Sequence, residues 1–114
     1  VDYRRNMTII ALMQVGKRKQ MVAIGSYAEV DNNDAEVAFI VKESLHRMGI
    51  GYHLLKSLEA IARENHYTQF SAMVLAENKK MIQLFQKRYP ELTMKRTGSG
   101  EIDIIMPFDD ARAE

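Results

Sequence analysis

The chain has 114 residues, no cysteine and a formal net charge of +1. That length suits one domain, large enough to bury roughly two-thirds of its unfolded surface. The lack of cysteine excludes disulfides, thiolate metal sites and a cysteine nucleophile, and the balanced charge selects neither nucleic acid nor an anionic membrane. No apolar run approaches the ~20 residues of a membrane helix, and no secretory leader is visible, so the expected location is the cytoplasm. Residue 1 is Val rather than Met, which is read as a processed product or a piece of a longer protein.

Residues 7–15 are apolar and rich in branched side chains, which predicts a strand. Gly16-Lys17-Arg18-Lys19 is a polar turn, and residues 20–30 read as a second strand, so the two form an antiparallel hairpin. The three lysine and arginine side chains of that turn are read as solvating it. Asp31-Asn32-Asn33-Asp34 is a second turn signal, because Asn and Asp close local bonds. Residues 35–42 are nearly all apolar apart from Glu36, which predicts a central strand covered on both faces.

The period then changes. Ile50, Leu54, Leu58, Ile61 and Ala62 recur at helical spacing within 49–65 and predict a helix packed on the sheet. Glu59 and Arg63 are read as an i,i+4 pair on its outer face, and Asn65 and His66 suit its end. Residues 68–76 are a further strand. Asn78 is placed to cap a helix over 79–89 that buries Met81, Ile82, Phe85 and Tyr89 and stops at Pro90. Residues 92–97 and 101–106 form a last pair of strands around Gly98-Ser99-Gly100, and 109–114 is a tail that frays. The order is β-β-β-α-β-α-β-β: an α/β fold with a mixed, mainly antiparallel sheet and flanking helices. The first helix crosses between strands 35–42 and 68–76, which makes those two parallel.

The chemically informative stretch runs from Glu36 through the strand and a polar loop to His46-Arg47-Met48-Gly49-Ile50-Gly51. A strand leads into a helix whose first turn holds two glycines. Helix N-termini offer N–H groups and a positive dipole end, glycines let backbone approach a phosphate, and Arg47 adds a movable cation. A dinucleotide fingerprint needs a third glycine where Leu54 stands, and a P-loop needs Lys where Tyr52 stands, so both fail. Glycines used for turning only remain the alternative.

The chain resembles the GNAT superfamily of N-acyltransferases over residues 1–108, which are read as one acetyltransferase domain. The family's Arg/Gln-x-x-Gly-x-Gly/Ala motif opening a helix has its counterpart in His46 to Gly51. Its strand-Asn-helix motif has its counterpart in Val74 to Phe85, with Asn78 at the centre. The opening Val1-Asp2-Tyr3-Arg4-Arg5-Asn6-Met7 is similar to GNAT domains fused to acyl-CoA synthetase or acetyl-CoA hydrolase/CoA-transferase proteins.

The resemblance implies binding of acetyl-CoA or a related acyl-CoA and transfer of the acyl group to a protein lysine or a small amine, without a metal. It implies that the sheet splays between strands 35–42 and 68–76 and that the pantetheine arm pairs with the backbone of Phe39, Ile40 and Val41. The pyrophosphate would rest on His46, Arg47, Met48, Gly49, Ile50, Gly51 and Tyr52. Asn78 would bond the arm. Lys79 and Lys80 either meet the phosphates or form a solvated helix face. The attacking amine must be neutral, which calls for a base, and a strand N–H in the splay would stabilise the oxyanion. Glu36 is the candidate base, its pKa raised by burial; the other reading is an outward-facing charge near the strand's start.

Three departures from the family pattern stand out. Phe85 occupies the position of the usual acid, a Tyr, and carries no proton to give. His46 replaces Arg or Gln. The family's N-terminal strand-and-helix unit is missing, which reads as truncation and leaves strand 7–15 as an edge that seeks a partner, so a homodimer or an artificial contact is expected there. His53 and His66 read as surface residues, and the eight methionines as mostly core-facing gap fillers. Two functional readings stay open: an N-acetyltransferase, or a non-catalytic acyl-CoA-binding module that serves a fused enzyme. An interaction domain with a decayed site is a third.

Overall fold

The computed structural model describes residues 5–42 and 49–109. Six strands and two helices follow the expected order: β1 (Asn6–Val15), β2 (Arg18–Glu29), β3 (Asp34–Val41), α1 (Ile50–Glu64), β4 (Gln69–Leu75), α2 (Lys79–Arg88), β5 (Thr93–Arg96) and β6 (Glu101–Pro107). They make one sheet in the order β1-β2-β3-β4-β6-β5. Among the described residues only the β3–β4 pairing is parallel, as the α1 crossover requires. Residues 110–114, most of the expected tail, lie outside the described residues.

Local chemistry sets the turns. The β1–β2 loop has two residues, with Val15 paired to Arg18 and Gly16 at φ 61. A positive φ at the first loop position is what glycine allows and what a tight hairpin turn needs. At the β2–β3 turn, Oδ1 of Asp31 accepts from the N–H groups of Asn33 and Asp34.

Both helices pack on the same face of the sheet. There Tyr27, Val37, Phe70, Ile104 and Met106 of the strands meet Leu55, Leu58, Phe85 and Tyr89 in one core. Residue 25 lacks a side chain because Phe39 lies over it: a Cβ there would come within 2.7 Å of the Phe39 ring.

The opposite face carries no helix among the described residues. Ile10, Ile24 and Ile40 lie in one cross-strand row, with Ile10 and Ile40 exposed. Leu12, Met73 and Leu75 are also exposed. The expected two-sided burial of β3 is therefore incorrect. Val37 is buried, whereas Glu36, Ala38 and Ile40 are exposed on the open face. An apolar run reports a strand but not how many of its faces are covered. The methionine reading needs the same correction, since Met81 and Met106 are buried while Met21, Met73 and Met94 are exposed.

The Glu59–Arg63 pair forms, but not on an outer face. Glu59 is 1% exposed. Its Oε2 accepts from Arg63 Nε at 2.9 Å and lies 3.3 Å from Arg88 Nη2, while Oε1 accepts from the Tyr89 hydroxyl at 2.6 Å. Burial of this carboxylate is sustained by opposite charge and by hydrogen bonds to both oxygens.

Candidate ligand cleft

The parallel pairing of β3 and β4 is short. Asp34, Ala35 and Glu36 pair with Gln69, Phe70 and Ser71. Beyond that, β3 runs on to Val41 against β2, and β4 runs on to Leu75 against β6. The two strands part after the Glu36–Ser71 rung. Between them is a cavity of about 240 Å³ lined by Ala38, Phe39, Met73, Val74 and Leu75, with Asn78 and Phe85 from the start and middle of α2. Strand edges that part inside a sheet leave backbone donors and acceptors requiring partners. The slot is thus suited to an extended ligand that pairs with backbone.

A second cavity of about 530 Å³ lies where the start of α1 faces α2. Gly49, Gly51 and Tyr52 line one side, and Lys80, Gln83, Leu84 and Lys87 line the other. Met81 lines both cavities. Gly49 is the N-cap of α1 at φ 73, where glycine is needed for conformation. Gly51 is needed for closeness: a Cβ there would stand 3.1 Å from Leu84 Cδ2. Among the described residues no side chain caps α1, and its first turn holds no acid. The first-turn N–H groups and the dipole end therefore face this cavity, an arrangement suited to anions.

The structure brings together most of the expected site. Phe39, Asn78 and Phe85 line the slot. Val41, Gly49, Gly51 and Tyr52 line the larger cavity. Ile50 opens α1 beside them. The side chain of Ile40 points to the open face, so only its backbone belongs with the site. His46, Arg47 and Met48 lie outside the described residues. Asn78 caps α2, its Oδ1 accepting from Met81 N at 3.3 Å. Phe85 is buried, its ring centroid 6.3 Å from that of Phe39.

Glu36 stands at the last paired rung, where the strands begin to part, on the open face. The burial expected around it is absent; the residue is exposed. Asp34, two rungs deeper, is the buried acid of this strand, with Oδ1 lacking a hydrogen bond. Burial raises its pKa, while side-chain hydrogen bonds from Ser71 and Gln69 act in the other direction. Tyr89 is committed to Glu59, and burial followed by that hydrogen bond pushes its phenol well above the ordinary value. Gln83, Leu84 and Lys87 were not foreseen as site residues. The signal was present in their spacing from Lys80, which places them on one helical face.

Comparison with known proteins agrees with this geometry. The profile of the Acetyltransferase (GNAT) family matches residues 2–89. The GNAT domain of PAT from S. lividans superposes with a TM-score of 0.79 at 26% identity, over 95% of this chain and 64% of that one. A cAMP-binding acyltransferase from Mycobacterium smegmatis gives 0.75 at 22% identity, over 99% of this chain and 37% of that one. A PaiA N-acetyltransferase from Thermoplasma acidophilum, solved with coenzyme A, gives 0.76 at 14% identity, over 91% and 62%. The chain thus spans less than two-thirds of the length of these solved chains. With a family match over most of its length and a sheet that parts between β3 and β4, the chain belongs to the GNAT acetyltransferase family.

Proposed function

We propose that the chain is an acyl-CoA-dependent N-acyltransferase domain that moves an acetyl group from acetyl-CoA to an amine, either a protein lysine or a small amine. The observation that carries this reading is the parting of β3 and β4 after Glu36–Ser71, with a slot between them next to the start of α1, which no described side chain caps. Coenzyme A in the T. acidophilum neighbour supports the same reading.

Bound acetyl-CoA supplies an acyl group activated as a thioester. The free edge of β3 from Val37 to Val41 holds the pantetheine arm by strand-like pairing, and the Phe39 and Phe85 rings exclude water beside it. The first turn of α1 offers N–H groups to the pyrophosphate. Glu36, at the mouth of the slot, takes the proton from the incoming amine. A strand N–H in the slot donates to the carbonyl oxygen as negative charge develops there. Phe85 gives no proton, so protonation of the departing sulfur falls to solvent.

A second reading is a module that binds acyl-CoA without transferring it. It is favoured by the side chains that cannot act: Phe85 has no hydroxyl, and the Tyr89 hydroxyl is held by Glu59. Calorimetric titration with CoA and acetyl-CoA, followed by thiol release with and without amines, separates the two. Binding with amine-dependent release supports the transferase. Binding with background release selects the module. No binding of either ligand overturns both.

A further inference from the structure

Asp34 is a buried acid that does not line the slot and has no part in the chemistry assigned to Glu36. It lies two residues before Glu36 on β3. Side chains two apart on a strand share a face, about 7 Å apart at ~3.3 Å per residue. Across the parallel pairing, Gln69 stands opposite Asp34 and Ser71 opposite Glu36. Side-chain hydrogen bonds from Ser71 and Gln69 reach the Asp34 carboxyl, yet its Oδ1 keeps no partner. Ser71 is therefore the neighbour that the two acids share. The turn before β3 fixes Asp34: its N–H donates to Asp31 Oδ1 at 3.0 Å, and its C=O accepts from Val30 N at 2.9 Å.

The charges around this pair do not neutralise it. Asp31, on the turn, opposes ionisation of Asp34. On β2, Ala28 stands opposite Glu36. Glu29, opposite Ala35, is held by the Tyr67 hydroxyl and lies 3.7 Å from Arg5. Beyond β4, Ile105 and Pro107 of β6 stand opposite Ser71 and Gln69. Among the described residues no Lys, Arg or His occupies these rungs. A buried carboxylate without a cation beside it costs stability, and such groups recur where protons are moved.

On the reading that Glu36 takes the proton of the incoming amine, we propose that Glu36, Ser71 and Asp34 form a proton relay. The amine N–H bond breaks as nitrogen attacks, and the proton forms an O–H bond on Glu36. Glu36 is then a donor. It passes this proton to Ser71 Oγ while the Ser71 hydroxyl proton moves to Asp34. Glu36 ends ionised, Ser71 ends as a hydroxyl and Asp34 ends neutral. Asp34 releases the proton at the exposed 31–33 turn, so Glu36 recovers while product still covers it. Asp34 acts through Ser71 and touches no substrate, which makes it a positioning residue.

The test has two readouts. Carbon-13 NMR of the carboxyl groups follows Asp34 in the free protein, its signal identified by D34N. A hydrogen bond to the ionised form favours that form, so S71A should move the Asp34 titration upward. S71T keeps the hydroxyl and should restore the wild-type titration. Amine-dependent thiol release is then measured for wild type, D34N, S71A, S71T and the D34N/S71A double variant, with thermal melts to confirm folding. D34N and S71A should each lower kcat about tenfold, less than loss of the base itself, and S71T should recover it. The amine KM and calorimetric CoA affinity should stay within about threefold of wild type, and the double variant should lose no more than either single one. An unchanged Asp34 titration in S71A overturns the relay. So does wild-type turnover in D34N or S71A, or losses that add in the double variant. If wild type itself shows no amine-dependent release, the transferase reading falls and the relay with it, a result distinct from a working wild type whose variants turn over equally.

Discussion

Tyr89 donates its hydroxyl to Oε1 of Glu59 at 2.6 Å and joins residues thirty positions apart in the chain. The other oxygen of that carboxylate serves Arg63 and Arg88. One buried acid thus fastens α1 to the end of α2. Removing it leaves two guanidinium groups and a phenol facing one another without a counter-charge. Glu59→Ala is expected to cost about 3–5 kcal/mol, the range for breaking a buried ion pair from one side. Urea unfolding should show this as a lower midpoint at unchanged slope. A midpoint shift worth less than ~1 kcal/mol would match a solvent-exposed pair and contradict the burial.

The same contact has an alkaline signature. Burial, and then the Glu59 carboxylate, raise the Tyr89 phenol above its ordinary value. The folded state therefore keeps this proton at pH values where the unfolded chain releases it. The contribution is whole below the unfolded phenol's value of about 10 and is lost as pH rises beyond it toward the folded value. Wild type should lose stability above about pH 10 more steeply than Tyr89→Phe, which lacks the titrating group. At neutral pH that variant should be about 1–3 kcal/mol less stable, because one Glu59 oxygen is left unsatisfied. Parallel alkaline slopes for the two proteins would remove the argument.

The element order was readable because each boundary has a local cause. Gly16 and the Asp31 turn end strands, the period changes between Val41 and Ile50, and Asn78 caps α2 through its own side chain. Gly49 and Gly51 were equally visible, since glycine spacing at a helix start is a local signal. What stayed hidden depends on distant partners. Glu59 and Arg63 have the same spacing whether exposed or buried, and only Arg88 and Tyr89 decide it. Ile40 belongs to an apolar run, yet it is 72% exposed, because burial depends on what covers each face of the sheet. Lys87 was missed because the surface it faces is supplied by α1, 35 residues earlier at Tyr52.

Glu36 stands where the strands part, which makes the proton-accepting role proposed for it testable apart from binding. Glu36→Gln should lower amine-dependent turnover by about 10²–10⁴-fold, the usual contribution of a general base. It should also flatten the dependence of kcat on pH. CoA affinity should hold, because the side chain lies on the open face, away from the larger cavity. A variant with the wild-type pH profile would show that Glu36 is only a surface charge.

Gly51 brings the start of α1 against α2, with Leu84 Cδ2 3.1 Å from where a Cβ would sit. Gly51→Ala asks a flexible side-chain end to yield by a few tenths of an ångström and should be tolerated in the fold. Gly51→Leu places a branched side chain at the cavity wall. It should weaken CoA by at least ~100-fold, since it both blocks the space and spoils the approach of phosphate to backbone. Calorimetry on both folded variants checks this, and CoA affinity retained in Gly51→Leu would contradict the anion cradle at α1.

Asp34 carries the remaining titration on β3. Its side chain is buried with Oδ1 lacking a hydrogen bond, and desolvation raises its pKa despite hydrogen bonds from Ser71 and Gln69. A carboxyl that prefers its neutral form in the folded state favours folding most below the unfolded value of about 3.9. That advantage is lost as pH rises through the folded value, so the charged group is a burden at neutral pH. Asp34→Asn removes the charge at nearly constant size. The variant should be as stable as wild type or more so at pH 7, and the difference should shrink as pH falls toward about 4. Urea midpoints across that range measure it. A variant weaker than wild type at pH 7, with a deficit that disappears in acid, would mean that the ionised carboxylate is held by partners rather than penalised by burial.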